Sequence, residues 1–163
     1  MVIAGDGALR HKLRGLASDC GIEGITEFIG QVPQDDVPAV LNRFSIFVAP
    51  SVFETFGVAV LEASSCALPV VVSDAEGLSE VVRDGKTAQV APNRDPAAIA
   101  KAISLLIENP RLRRELGDNG RQFVLTNYEW SQTAAQMERV YQSVAGFSAQ
   151  RDMPQDQAVT LEA

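Results

Sequence analysis

The chain has 163 residues, of which 46% are apolar, and a net charge of −7. That length suits one domain with a core of its own. The acidic balance argues against nucleic acid as a partner, since a phosphate backbone requires a basic face. No stretch approaches the ~20 consecutive apolar residues of a membrane helix, and Met1-Val-Ile-Ala lacks the basic flank and cleavage site of a signal peptide.

In chain order, Val2 to Ala4 reads as a short buried strand stopped by Gly5-Asp6-Gly7. A helix starting at Asp6 or Gly7 follows, with Leu9, Leu13, Leu16, Ala17 and Cys20 at a 3–4 residue apolar period and Gly21 as its C-cap. Ile25 to Ile29 reads as strand, and Gly30-Gln-Val32-Pro33 as the loop after it. Asp35 and Asp36 sit where a short helix over 37–43 would begin, favourable to its dipole. The strand Ser45 to Ala49, a helix from about Gly57 to Cys66, and the apolar strand Pro69 to Ser73 come next. Leu78 to Val82 is a helical turn, Asp84-Gly85 a tight turn, and Ala88 to Val90 a strand. Asp95-Pro96 has the form of N-cap and N1 for a helix to about Glu108. Asn109-Pro110 breaks it, a second helix runs to about Thr126, and a last one covers 130–144. Residues 148–163 are polar and aperiodic and are expected to form a disordered tail beyond a 1–147 domain. Alternating strands and helices with apolar strands predict an α/β fold with a parallel sheet covered on both faces.

The side chains outside the apolar faces allow plain readings. Cys20 and Cys66 share no ligand-like spacing and fall on apolar helix faces, so both are expected to be buried free thiols, which suits a reducing cytoplasm. His11, between Arg10 and Lys12, reads as a solvated surface residue. The run Arg111 to Glu115 reads as a solvated helix face with local ion pairs. No His, Asp or Glu cluster has metal-ligand spacing, so no metal is expected.

The segment Phe47 to Pro69, FVAPSVFETFGVAVLEASSCALP, carries the chemistry. It runs strand, loop, helix, the order in which α/β proteins build a ligand crevice. A helix N-terminus presents unpaired N–H groups and partial positive charge, so Thr55 to Val58 can direct amides at a phosphate. Glu54 and Glu62 would repel phosphate but suit hydroxyl pairs on a sugar or ribose. The plain alternative makes Glu54 a capping acid and Glu62 a solvated helix-face acid, and spacing alone leaves both open.

The pattern Glu54-Thr-Phe-Gly-x4-Glu62, followed by Ala63 and Leu68-Pro69-Val70-Val, resembles the E-x7-E signature of family 4 (group 1) retaining glycosyltransferases of the GT-B fold. Flanking landmarks occur in that family's order: Ile3-Ala-Gly5-Asp6-Gly7, Ile25 to Gly30, Glu80-Val-Val-Arg-Asp-Gly85 and Pro92-Asn-Arg-Asp95. The resemblance covers Met1 to about Tyr141. It implies a doubly wound Rossmann-like, C-terminal donor-binding domain, and transfer of a hexosyl group from a UDP-, GDP- or ADP-sugar with retention of configuration. It further implies that Glu54 contacts hydroxyls of the donor sugar and Glu62 the ribose diol. The amides of Phe56, Gly57 and Val58 would cradle the diphosphate or sugar, with Gly57 letting the ligand approach the backbone. Val32 resembles the position that meets the base through its main chain, with ordinary loop packing as the other reading, and Gly5 with Gly7 either borders the crevice or simply makes a tight strand-to-helix turn. Catalysis would be electrostatic, by helix dipole and a basic pair that stabilise the leaving diphosphate without an essential metal or cofactor.

The chain also departs from that family. The first βα unit, bearing the arginine and lysine that neutralise the diphosphate, has no counterpart here, nor has the N-terminal acceptor domain. The absent strand is the central one in a sheet of order 3-2-1-4-5-6. The remaining strands must therefore close a gap, self-associate through it, or receive another chain. The expectation is weak donor binding and no transfer by this fragment alone, from a full-length enzyme that is cytoplasmic or membrane-associated. Two further readings stand beside it: a sugar-nucleotide epimerase-like domain, and a non-catalytic α/β module that associates with another chain. A dehydrogenase fits less well, since Gly5-Asp6-Gly7-Ala-Leu-Arg10 lacks the third glycine of G-x-G-x-x-G.

Overall fold

The computed structural model describes residues 1–145, so the expected tail at 148–163 lies outside the described residues. Residues Met1–Leu125 form one compact unit and the chain from Thr126 another. The first unit alternates strands and helices: β1 (Val2–Ala4), α1 (Arg10–Asp19), β2 (Glu27–Gly30), α2 (Val37–Leu41), β3 (Phe47–Ala49), α3 (Val58–Ser65), β4 (Val70–Ser73), α4 (Leu78–Val81), β5 (Ala88–Ala91) and α5 (Pro96–Glu108). Helix α6 (Pro110–Asn127) follows, and α7 (Trp130–Ala145) belongs to the second unit. Every strand pair is parallel, as expected of a Rossmann-like α/β fold.

The strands form two sheets rather than one. β1 pairs with β2, and β3-β4-β5 form a separate three-stranded sheet. The gap expected between β1 and β3 is not closed by pairing among the described strands. A parallel ladder needs backbone groups about 4.8 Å apart, and residues between β2 and β3 are spent on the loop and α2 that carry the chain across.

The core sits on the larger sheet. Val70, Val71 and Val72 of β4 are completely buried, with a strand on each edge, and Val71 packs with Leu106 of α5 and Leu116 of α6. Ile46, Val48, Ile99, Ile103 and Leu112 complete this layer. The continuous β-branched run of β4 is what a strand buried on both faces requires. Helix α5 begins as its sequence predicts: Asp95 is the N-cap, its carboxylate accepting the Ala98 N–H at 2.9 Å, with Pro96 at the first helical position.

Four local expectations are corrected. Helix α1 begins at Arg10 rather than at Asp6 or Gly7, because the Asp6 carboxylate turns to the Gly7 N–H (2.8 Å) and to the Arg10 guanidinium instead of capping a helix. Residues Glu23–Ile25 form a 3-10 turn, so β2 starts at Glu27. Cys20 is exposed and Cys66 only half-buried, although both are free thiols. The apolar stripe of α1 is likewise uncovered: Ala17 alone is buried, while Leu9, Leu13 and Leu16 are exposed by 63%, 39% and 56%.

Candidate functional site

Three loops meet at the C-terminal ends of β3, β4 and β5, the end at which parallel α/β sheets place ligands. Asn93, after β5, donates its side-chain amide to the Val52 carbonyl at 2.7 Å, and its backbone N–H to the Asp74 carboxylate at 2.6 Å. One residue thus ties the β3, β4 and β5 loops together. The Asn93 side-chain oxygen is buried without a hydrogen-bond partner among the described residues.

The β3 loop leads into α3 through Glu54 to Gly57. The half-buried Glu54 carboxylate accepts the N–H groups of Thr55 at 3.0 Å and Phe56 at 3.4 Å, so it is held by the backbone that follows it. Gly57 is the N-cap of α3, with φ +95°, a region that side chains disfavour. It is also buried, and a Cβ there would stand 2.7 Å from Leu78 and 3.1 Å from Val81 of α4. Close packing on α4 therefore supplies a reason for glycine at this position beside any approach of a ligand. Gly77 supplies the reciprocal contact. Its N–H donates to the Glu54 carbonyl at 3.2 Å, and a Cβ would lie 2.3 Å from that same oxygen. The helix end and the Glu54 loop are thus fitted to one another through two glycines.

Glu62 lies on α3, half-buried, and accepts a hydrogen bond from the Gln34 side chain at 2.7 Å. It lines a cavity of about 210 Å³ together with Ala4 and Gly5 at the end of β1, Val32 after β2, Val37 and Val40 of α2, and Phe47 of β3. The lining is apolar apart from Glu62, which suits a flat heterocycle with one hydroxylated neighbour.

The structure thus brings Glu62, Val32 and Gly5 to one cavity, whereas Glu54, Phe56, Gly57 and Val58 form the adjoining loop and helix start. Helix α3 is eight residues long; the Val60 and Leu61 N–H groups donate to the Gly57 carbonyl, so the amides that intrahelical bonding leaves open are those of Val58 and Ala59. Gly77, Asn93, Asp74 and Gln34 shape the site and were not singled out in the sequence. Asn93 lies inside the quoted Pro92-to-Asp95 segment, so its position was signalled. Gly77, next to Glu76, carried no local signal beyond being a loop glycine. Among the described residues no group of three or more His, Cys, Asp or Glu side chains converges in a metal-binding arrangement. No helix among them is long and apolar enough to cross a membrane.

Comparison with known proteins bears on this geometry. Residues 1–123 match the family model "Glycosyl transferases group 1". The chain is 34% identical over 146 residues to the phosphatidyl-myo-inositol mannosyltransferase of Mycobacterium leprae, covering 89% of this chain and 38% of that protein. Sucrose-phosphate synthase from Thermosynechococcus elongatus superposes with a TM-score of 0.81 at 30% identity, over 90% of this chain and 38% of that one. Anabaena HepE, solved in complex with UDP, gives a TM-score of 0.82 at 21% identity, over 87% of this chain and 40% of that one, and supports the fold. The chain spans about 40% of the length of the curated relatives it matches.

Proposed function

The chain belongs to the group 1 glycosyltransferase family, and from that premise we propose that it is the nucleotide-sugar-binding half of a retaining hexosyltransferase. The observation that carries this reading is the placement of Glu62. It opens onto the apolar cavity beside Val32 and Gly5, on the same helix whose N-terminus follows Glu54.

In this reading the base of a nucleoside diphosphate sugar enters the cavity against Val32, and the ribose diol donates to the Glu62 carboxylate, displacing Gln34. The diphosphate lies at the start of α3, where the Gly57 and Val58 amides and the helix dipole favour negative charge. The Phe56 amide is already turned toward Glu54, so it orders that carboxylate rather than the phosphate. Glu54, held by two backbone N–H groups, accepts hydroxyls of the donor hexose. The leaving diphosphate gains charge as the glycosidic bond breaks, so donors fixed beforehand at the helix start stabilise the transition state more than the ground state. A relative 32% identical over 144 residues, the GDP-mannose-dependent alpha-(1-6)-phosphatidylinositol monomannoside mannosyltransferase of Mycolicibacterium smegmatis, supports a nucleotide-sugar donor in general terms. The acceptor would be held by a domain outside these residues, and the fragment alone would bind donor weakly and transfer nothing.

Calorimetric titration with UDP, GDP and ADP tests this reading, with Glu62→Ala as the control. Saturable binding of one nucleotide, weakened about tenfold by loss of a charge-assisted hydrogen bond, is the expected result. Absence of binding to all three by folded protein, or binding indifferent to Glu62→Ala, would refute the placement. Hexosyl transfer by the pure fragment would refute the statement about its inactivity.

A further inference from the structure

The loop that carries Glu54 is held at three of its backbone carbonyls by residues at and after the ends of β4 and β5. The Ser73 hydroxyl, on the last residue of β4, donates to the Ser51 carbonyl. The Asn93 side-chain amide donates to the Val52 carbonyl at 2.7 Å, and the Gly77 N–H to the Glu54 carbonyl at 3.2 Å. Asn93 is anchored in turn, since its N–H donates to the Asp74 carboxylate at 2.6 Å and the Asp74 N–H to the Ala91 carbonyl at 2.9 Å. Ser73 is only 1% exposed, so its hydroxyl is withdrawn from water to make this contact.

Two neighbouring residues hold the arrangement at a cost. The buried Asn93 side-chain oxygen lacks a hydrogen-bond partner among the described residues, although the nitrogen of the same amide is spent on Val52. Arg94 follows with φ +59°, a left-handed conformation in which a side chain crowds the backbone. Such costs persist where the surroundings over-determine a geometry, and they gather at binding and catalytic sites. The geometry they fix here is that of the Glu54 loop.

The clamp does not extend to the rest of the site. Glu62 lies further along α3 and is held by Gln34, and Gly57 at the helix start is fixed by close packing on Leu78 and Val81. The nucleotide end of the site therefore has supports of its own, whereas Glu54 depends on the loop that Ser73 and Asn93 hold.

We propose that Asn93 and Ser73 are positioning residues for the donor hexose, an inference that rests on the donor-site reading above. They fix the Glu54 loop so that its carboxylate stands ready for the sugar hydroxyls, and they add nothing to nucleotide binding. A loop free to move would have to be ordered when the sugar arrives, and that ordering weakens binding.

The test titrates the full chain by calorimetry with UDP and UDP-glucose, GDP and GDP-mannose, and ADP and ADP-glucose. Asn93→Ala and Ser73→Ala each remove one donor, and Asn93→Asp keeps the size while replacing the donor by an oxygen. For the pair that binds, each variant should weaken the nucleotide sugar about fivefold, the factor of one typical hydrogen bond, and the free nucleotide less than about twofold. With no nucleotide present, hydrogen exchange at the Thr55, Phe56 and Gly77 amides should quicken by about the same factor in the variants. Equal weakening of nucleotide and nucleotide sugar would mark a general loss of structure and overturn the proposal. So would unchanged exchange in Asn93→Ala and Ser73→Ala, or full nucleotide-sugar affinity in Asn93→Asp. No binding of any pair by the wild-type chain would refute the donor-site reading and the proposal together, whereas unchanged exchange refutes the proposal alone.

Discussion

Gly77 has no neighbour in sequence that explains it, yet its missing Cβ lets α4 approach the Glu54 loop. Gly77→Ala would place a methyl 2.3 Å from the Glu54 carbonyl oxygen, a backbone atom that can yield only by moving the loop. We expect a loss of about 2 kcal/mol or more in denaturant unfolding, and weaker nucleotide binding, because the loop that moves carries Glu54. Asp6 offers a second test at this scale. The Gly7 N–H first, and the Arg10 guanidinium second, hold its carboxyl below the usual carboxylate range. A depressed carboxylate stabilises the folded state above its ordinary value, and that contribution is lost as pH falls through the lowered one. An NMR titration of Asp6 should thus give a midpoint below the ordinary value. In Arg10→Ala the midpoint should rise only part of the way, since the Gly7 hydrogen bond remains. A full return would show that the arginine does everything. Asp6 could be picked out in the sequence as a turn residue, but its pairing with Arg10 could not, because the start of α1 depends on which partner the carboxylate takes.

Single elements differ in how far their own residues hold them. Helix α5 is legible from both ends: Asp95-Pro96 starts it and Asn109-Pro110 stops it. Asp95→Ala removes the hydrogen bond to the Ala98 N–H and should cost ~1 kcal/mol, the usual value of an N-cap. Leu106→Ala, in the same helix but completely buried against Val71 and Leu116, should cost about 2–5 kcal/mol. Equal losses in chemical denaturation would mean that α5 owes its stability to its ends rather than to its packing. Helix α1 makes the opposite case. Its apolar period is as clear in sequence as that of α5, yet Leu13 and Leu16 stay exposed among the described residues and only Ala17 is buried, since periodicity states which face wants burial and not whether anything is there to bury it.

Across the Met1–Leu125 unit, stability should follow the division into two sheets. β4 has a neighbour on each edge and no exposed side chain, whereas β1 and β2 form a two-stranded sheet with partly exposed residues. Isolated two-stranded sheets are marginal, so amides of β1 should exchange at least about a hundredfold faster than those of β4, a difference of ~2.7 kcal/mol in local opening. Equal protection would mean that the two sheets open as one unit despite the gap.

The order of strands and helices, the burial of Val70 to Val72, the cap at Asp95 and the spacing of Glu54 and Glu62 were determined by the sequence alone. Each is written in neighbouring residues through a side-chain period, a capping chemistry or a motif interval. Tertiary structure alone decided that Glu62, Val32 and Gly5 line one cavity, that Gly57 and Gly77 fit α4 to the Glu54 loop, and that the leucines beside and within α1 stay exposed. Those features depend on distances between segments far apart in the chain, and pattern along a chain records what a residue prefers without recording what stands opposite it.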